Sequence, residues 1–172
     1  MIVLLRHLLA IAALPFVMTV VVPMWLARVF DSSFGGGIGW IFMRIAGLCL
    51  LLLGLALFGS SLGRFANDGK GTLAPWDPPR QLVIRGPYRF VRNPMISGVV
   101  LILFGEALLF LSTALLLWAL VFFTINAIYI PLLEEPQLRR RFGAAYIEYC
   151  NHVPRLVPRL KPWTPGVLRP LP

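Results

Sequence analysis

The sequence has few of the residues that build disulfide bonds, metal sites and acidic surfaces. Its 172 residues include two cysteines, two histidines and seven acidic side chains, against sixteen lysines and arginines. Cys49 lies in an apolar segment and Cys150 near the C-terminus, without metal-ligand spacing, and the two are not expected to meet. The sequence therefore predicts no disulfide and no metal site.

Apolar residues, in contrast, are in excess. They make up 58% of the chain, whereas about 45–50% is usual for a soluble domain. Since a helix that crosses a bilayer core needs roughly 20 apolar residues, four stretches can be read as spans: approximately 3–26, 40–58, 94–111 and 114–133. We therefore predict an all-α fold, a multi-pass membrane helix bundle of about four transmembrane helices that forms one domain over residues 1–172.

The predicted spans carry their own irregularities. The first is too long for the apolar region of a signal peptide, so it is predicted to be a retained helix that bends at Pro15 and Pro23. Only Ser112 and Thr113 separate the last two spans, which indicates a tight helical hairpin. Glycines in spans two and three predict close helix packing: they are Gly47, Gly54, Gly59, Gly98 and Gly105.

Basic residues are distributed unevenly about these spans. Segment 59–93 and the residues after Leu133 hold most of them, whereas segment 27–39 has Arg28 balanced by Asp31. By the positive-inside rule the two basic segments lie in the cytoplasm, as do both termini, and we expect a bacterial inner membrane. Some of this charge can simply attract anionic lipid head groups, at ~1 kcal/mol per basic residue. Nucleic-acid binding is not expected, because the charge flanks the spans.

The segment after the fourth span is predicted to form an amphipathic helix. Glu134-Glu135-Pro136 suits a helix start, because acidic residues favour the positive end of a helix and proline fits its first turn. An apolar and aromatic stripe then follows at helical spacing: Leu138, Phe142, Tyr146 and Tyr149. The helix would lie on the membrane or over the preceding loop, and the proline-rich residues after Val153 are predicted to be extended.

The most informative segment is 85–98, RGPYRFVRNPMISG, where an arginine-rich loop runs into the third predicted span. It combines a Gly-Pro-Tyr turn, two further arginines and an Asn-Pro helix start at the membrane surface. A chain that only crossed a bilayer would not need such a turn there. We interpret the segment as part of a binding site for a polar ligand.

Three motifs in order give the chain a resemblance to a known family. GPYRFVRNP, EEPQLRRRFGAAYIEY and VPRLVP are similar to the C-terminal half of isoprenylcysteine carboxyl methyltransferases and of related membrane phospholipid and thiol methyltransferases. The resemblance covers roughly residues 70–160. It implies an integral-membrane enzyme that transfers a methyl group from S-adenosyl-L-methionine to a lipidic or small apolar acceptor. The cofactor would lie in a cytoplasm-facing pocket that the acceptor enters from the membrane lipid.

Carried over residue by residue, the resemblance implies ten cofactor-binding positions: Arg80, Gln81, Leu82, Val83, Tyr88, Asn93, Pro94, Met95, Ile96 and Glu134. The first four would border the adenosine or methionine moiety, and Glu134 would accept hydrogen bonds from hydroxyls or the amine. Arg92 and Glu134 are the candidate catalytic residues. Structural alternatives exist for Arg92, as an interfacial anchor, and for the two tyrosines of the amphipathic helix, as packing residues.

The residue types fit this chemistry without the family. Arginines suit the carboxylate of the cofactor, a carboxylate suits its ammonium or hydroxyls, and aromatic faces suit its base and sulfonium. Methyl transfer is a direct displacement that needs alignment and desolvation more than acid–base groups. The scarcity of histidine and cysteine is therefore no objection.

Three departures from the family bear on the substrate. Many members have His at the position of Asn93 and Tyr at that of Ile96, and the prenylcysteine enzymes have an arginine one helical turn before the carboxylate, where this chain has Tyr129-Ile130-Pro131. The acceptor is therefore left open between carboxylate, amine and thiol. Two other functions also remain: a membrane reductase of the sterol-reductase type with a nicotinamide cofactor, and a non-catalytic membrane scaffold.

Overall fold

The computed structural model describes residues 12–30, 37–68 and 82–164, and the regular elements in these ranges are helices. We number them α1 (Val22–Val29, which continues a π-helical segment Ala12–Val21), α2 (Ile41–Asp68), α3 (Pro94–Phe110), α4 (Thr113–Tyr129) and α5 (Glu135–His152). The all-α prediction is confirmed for this part of the chain.

Two of the described helices are long and apolar enough to cross a membrane, Ile38–Arg64 and Thr113–His152. Pro15–Val29 and Pro94–Phe110 are shorter apolar helices. All four overlap the predicted spans, and the count of four transmembrane helices stays a prediction.

Helices α2 and α3 pack in backbone contact and run antiparallel. A Cβ atom on Gly47 would lie 2.7 Å from the carbonyl oxygen of Gly105, and one on Gly54 would lie 2.7 Å from that of Gly98. These distances are too short for any side chain, so the two glycine pairs set how closely the helices approach. Gly59 has no such neighbour within 4 Å, and its predicted role in packing is wrong.

The turn between α3 and α4 is short and buried. Leu111 adopts a left-handed conformation with φ 53° and ends α3. The hydroxyl of Ser112 then accepts a hydrogen bond from the N–H of Leu115, which caps the start of α4. The helical hairpin predicted at Ser112 and Thr113 is confirmed.

The N-terminal helix shows the irregularity expected of its prolines. Pro15 lies inside the π-helical segment, and its carbonyl accepts a hydrogen bond from the Thr19 hydroxyl at 2.7 Å. The winding changes before Pro23, which occupies the first turn of α1. Contact with α4 comes from Trp118, whose indole N–H donates to the carbonyl of Met18 at 3.1 Å.

Two boundaries differ from the predicted ones. Helix α2 does not end near Phe58 but continues to Asp68. Helix α5 begins at Glu135, as predicted, but a π-helical turn, Ile130–Glu134, joins it directly to α4. The joined helical segment, Thr113–His152, has 40 residues, and it is kinked at Gly143, whose φ of 55° and ψ of −133° are not helical. The apolar part ends at Leu133, so the predicted topology places Glu134 and α5 outside the membrane-spanning part.

Candidate functional site

The segment 85–98 folds as a tight turn followed by the start of α3. A 3-10 turn, Gly86–Arg89, opens it, and Gly86 has φ +55°, a conformation that favours glycine. The N–H of Tyr88 donates to the carbonyl of Arg85 at 3.2 Å. The turn thereby directs Tyr88 into the protein, where its side chain is buried.

Helix α5 holds this turn from the other side. The hydroxyl of Tyr149 donates a hydrogen bond to the backbone carbonyl of Tyr88 at 2.6 Å. Burial raises the pKa of the Tyr149 phenol, so this group remains a donor at neutral pH. Tyr146 and Tyr149 form a buried cluster with Val153, packed against Leu82 and Ile84 of the loop. The packing interpretation of both tyrosines is supported.

Asn93 links the turn to α3. Its carbonyl accepts the N–H of Ser97 at 2.9 Å, which starts the helix. Its backbone N–H and its side-chain amide both donate hydrogen bonds to the carbonyl of Arg155, at 3.2 and 3.4 Å. Three neighbouring side chains at this helix start are buried or half-buried: Pro94, Met95 and Ile96.

A buried ion cluster joins α5, the turn and the C-terminal segment. The carboxylate of Glu135, only 3% exposed, accepts two hydrogen bonds from Arg155 at 2.6 and 3.1 Å. Arg92 lies 3.1 Å from the same carboxylate, and Arg139 lies 3.9 Å away. Burial alone would raise the pKa of Glu135, but the hydrogen bonds from Arg155 and the charges of Arg92, Arg155 and Arg139 lower it. Glu135 is therefore ionised and fully engaged.

Arg92 is held within the same cluster. Its side chain is 10% exposed, and its Nη1 contacts Glu135 and the sulfur of Cys150, the latter at 2.7 Å. Its Nε is buried without a hydrogen-bond partner among the described residues. These contacts show that Arg92 joins the turn to α5, and its alternative role as an anchor at the membrane interface stays a prediction.

Glu134 lies beside this cluster but is not part of it. It is half-buried and makes no hydrogen bond or ion pair with the described residues. Burial, and then the neighbouring charge of Glu135, raise the pKa of Glu134. Burial also raises the pKa of the Tyr88 phenol, with a further contribution from Glu134, so the two groups are neighbours. Two adjacent carboxylates thus differ: one is neutralised by arginines and one is available.

Residues 153–164, which we call the C-terminal strap, run along the turn. The carbonyls of Pro154 and Arg155 accept the N–H groups of Arg92 and Asn93 at 2.8 and 3.2 Å. Further along, backbone hydrogen bonds reach Phe90 and Arg89: they come from Arg159 and Trp163, both at 2.9 Å. The described strap contains no helix or strand, only bends and irregular backbone, and it fixes the backbone of the turn.

The region that holds this site matches a known family. The sequence profile described as phospholipid methyltransferase matches residues 42–145, more than half of the chain. The chain belongs to the phospholipid methyltransferase family. Membership indicates a membrane methyltransferase, in agreement with the resemblance found in the sequence.

The chain is also similar to part of a curated sterol reductase. Delta(14)-sterol reductase of Mus musculus is 29% identical over 127 residues, which covers 64% of this chain and 30% of the reductase. The chain thus spans about three tenths of the length of that relative. No solved structure matches the chain.

Within this family member, most of the predicted cofactor residues come together. The loop, the head of α3 and Glu134 converge at one end of the helices, and the described members are Leu82, Val83, Tyr88, Asn93, Pro94, Met95, Ile96 and Glu134. Arg80 and Gln81 lie outside the described residues. The described residues contain no group of three or more histidines, cysteines or acidic residues that could hold a metal ion.

Two residues of this region were not singled out from the sequence, Glu135 as an ion-pair centre and Arg155 as its partner. The signal for Glu135 was its position four residues before Arg139, a helical ion-pair spacing. Arg155 lies in the VPRLVP motif, but nothing in the sequence indicated that the strap would return to α5. A contact between positions 20 residues apart has no local pattern.

Proposed function

We propose that the chain is an integral-membrane methyltransferase that uses S-adenosyl-L-methionine to methylate a lipidic or small apolar acceptor. The observation that carries the proposal is the position of Glu134. An available, half-buried carboxylate lies beside Tyr88 at the end of an apolar helix, inside the region that the family profile matches. Among the described residues, this carboxylate has no hydrogen-bond or ion-pair partner that would give it a structural role.

The donor set fits the cofactor. The carboxylate of Glu134 suits an ammonium group or ribose hydroxyls, since charge-assisted hydrogen bonds are the stronger ones. Leu82, Val83 and Tyr88 offer apolar and aromatic surface for a flat base. The unpartnered Nε of Arg92 offers a donor for a carboxylate. When bound, the cofactor supplies an electrophilic methyl group on a sulfonium.

The residues of this chain would bind and orient rather than exchange protons. Direct displacement depends on alignment and on exclusion of water. The hydrogen bond from Tyr149 and the strap hold the backbone of Tyr88 and Asn93, and Glu135 keeps Arg92 in place. The ordered backbone reduces the cost of organising the site when a ligand binds.

The membrane arrangement supports a lipidic acceptor. In the proposed topology four helices cross the bilayer, both termini are cytoplasmic, and the loop, Glu134 and α5 meet at the cytoplasmic surface. An acceptor dissolved in the bilayer could then reach the site along the helices. Many family members have histidine at the position of Asn93, which here bonds to the strap, and α4 has no arginine before Glu134. We therefore do not infer the acceptor of this chain from that of the prenylcysteine enzymes.

Binding of S-adenosylhomocysteine to the purified protein in detergent tests the proposal, with isothermal titration calorimetry as the measurement. We expect binding by the parent protein and about a tenfold or greater loss in Glu134→Gln, since a hydrogen bond to a charged group contributes about 1.5–3 kcal/mol. Glu148→Gln, on the same helix as the anchoring tyrosines, is the matched control. Equal binding by Glu134→Gln and the parent would show that the site assignment is wrong.

A reductase is the second candidate, because the mouse relative is named a Delta(14)-sterol reductase. It predicts binding of a reduced nicotinamide cofactor in place of S-adenosylhomocysteine in the same calorimeter. Incubation of the protein with a lipid extract and methyl-labelled cofactor separates the acceptors, because the labelled product can be isolated and identified. Binding of neither cofactor would favour the non-catalytic scaffold.

A further inference from the structure

The C-terminal strap reaches the level at which α3 begins. The carbonyl of Leu156 accepts a hydrogen bond from the hydroxyl of Ser97 at 2.8 Å, and Ser97 lies in the first turn of α3. Since α3 is an apolar helix that the proposed topology sets in the membrane, residues next to Leu156 lie near the head-group region.

Two apolar side chains of the strap face away from the protein. Val157 is 76% exposed and Leu160 is 98% exposed. Beyond Leu133, the described residues include one other large apolar side chain that is exposed, Ile147 on α5. Val157 and Leu160 are thus the two most exposed apolar side chains of the described strap, and the proposed topology places them near the membrane surface.

Leu160 is held in this outward position. The backbone N–H of Arg159 donates to Phe90, and that of Trp163 donates to Arg89, both at 2.9 Å. The strap is therefore fixed on both sides of Leu160. A leucine that a fixed backbone holds exposed would gain free energy by entering an apolar environment.

Cationic side chains flank the exposed leucine. Lys161 is exposed, and one guanidinium nitrogen of Arg159 donates to the carbonyl of His152. An apolar side chain between basic residues matches a membrane interface, where the apolar group enters the acyl region and the cations meet anionic phosphates. Because Arg159 and Lys161 are positive and the chain as a whole is basic, anionic lipid suits them better as a partner than another part of the chain does.

We propose that the strap is an interfacial anchor, in which Val157 and Leu160 insert into the cytoplasmic leaflet and Arg159 and Lys161 contact anionic phospholipid head groups. The inference rests on the membrane topology of the proposed function but not on methyl transfer. Because the strap also fixes the turn at Tyr88 and Asn93, anionic lipid would hold the candidate site in place.

Site-specific fluorescence in lipid nanodiscs tests the anchor. A bimane probe is attached at Leu160→Cys in a Cys49→Ala/Cys150→Ala background, and Asn151→Cys on α5, which is exposed, is the matched control. Lipids with a quencher on the acyl chain should reduce bimane emission at position 160 about twofold or more. They should leave position 151 unchanged. Equal, low quenching at both positions would overturn the proposal.

A second measurement varies the charge of the lipid and tests whether a protein covers position 160. Quenching at position 160 should be stronger with phosphatidylglycerol than with phosphatidylcholine alone, and Lys161→Glu or high salt should remove that difference. A probe that neither lipid quencher nor aqueous iodide reaches would indicate a protein partner, and would overturn the proposal. S-adenosylhomocysteine binding by the parent protein, which keeps Cys150 in contact with Arg92, separates the inferences: a water-exposed Leu160 with intact binding contradicts the anchor alone, and quenching without binding contradicts the methyltransferase alone.

Discussion

The paired helices α2 and α3 and the junction of turn, α5 and strap are held together in opposite ways. Between the helices, Gly47, Gly54, Gly98 and Gly105 remove side chains so that backbones touch. At the junction, arginines and tyrosines bridge gaps with hydrogen bonds and charges, and Glu135 lies at their centre. The helix pair requires that these glycines have no side chains. The junction requires that the Glu135 carboxylate keeps all of its hydrogen-bond and ion-pair partners.

The difference follows from the surroundings of each region. In a bilayer the hydrophobic effect does not separate helix from lipid, so close packing must hold helices together. At the membrane surface water and ligands compete for polar groups, and a site needs positioned charge. The proposed cofactor site at the junction would therefore share Arg92 with the fold, whereas Glu134 makes no hydrogen bond or ion pair with the described residues of this network.

The largest effect is expected where the junction loses its centre. Glu135→Gln removes the counter-charge of Arg92, which is 10% exposed and cannot reach water without a rearrangement. Leaving one partner of a buried pair uncompensated costs about 3–5 kcal/mol. We expect a loss of that order in the free energy of unfolding, measured by sodium dodecyl sulfate titration in mixed micelles.

Glu148→Gln removes one carboxylate from the same helix outside this cluster, and it should unfold at nearly the parent midpoint. Arg155→Lys should restore part of the loss seen in Arg155→Ala, since an ammonium keeps the charge but not the two hydrogen bonds to Glu135. If Glu135→Gln and Glu148→Gln unfold alike, the junction does not depend on its ion cluster.

A smaller effect is expected between the helices. Gly54→Ala adds one methyl group 2.7 Å from a carbonyl oxygen of α3, and forcing extra volume into a packed interface costs about 1–3 kcal/mol. Gly59→Ala, in the same helix with nothing within 4 Å, should be neutral or stabilising by about 0.5–1 kcal/mol. The same titration measures both, and two changes of the same sign would contradict the packing account.

The sequence predicted the elements of the fold well because their signals are local. Apolar runs, the Ser112 hairpin, the prolines and the stripe that ends at Tyr146 and Tyr149 each depend on neighbouring residues. The length of α2 was underestimated because its last turns are polar, and hydropathy marks the apolar part of a helix rather than its end. Gly59 was misjudged because the sequence does not say which face of α2 meets α3.

The candidate site was predicted only where a motif marked it. The motifs at Tyr88, Asn93 and Glu134 identified one end of the bundle. The family resemblance selected Glu134 and not Glu135, but the sequence itself offered no physical reason for that choice, because the difference depends on Arg92 and Arg155, which come from distant parts of the chain. Which of two adjacent carboxylates is free is a property of the tertiary structure.

The smallest expected effect distinguishes these two carboxylates by pH. The pKa of Glu134 is raised above its usual value of 4.5. At pH values between the usual and the raised pKa, the folded protein therefore binds more protons than the unfolded chain. Stability must then fall with increasing pH, by at most about 1.4 kcal/mol per unit for one proton. The lowered pKa of Glu135 acts in the opposite direction, and its stabilisation is lost as pH falls below the usual value.

Glu134→Gln should therefore flatten the fall in stability above pH 4.5, the usual pKa of this group, and leave the loss in acid unchanged. Unfolding midpoints across this range measure both slopes on parent and variant, so that contributions from other groups cancel in the difference. If S-adenosylhomocysteine donates hydrogen bonds to the Glu134 carboxylate, the affinity of the protein for this ligand must rise with pH over the same range. The reason is that binding favours the ionised form of Glu134. A variant whose slope equals that of the parent would mean that Glu134 is not the buried, available carboxylate on which the proposed site depends.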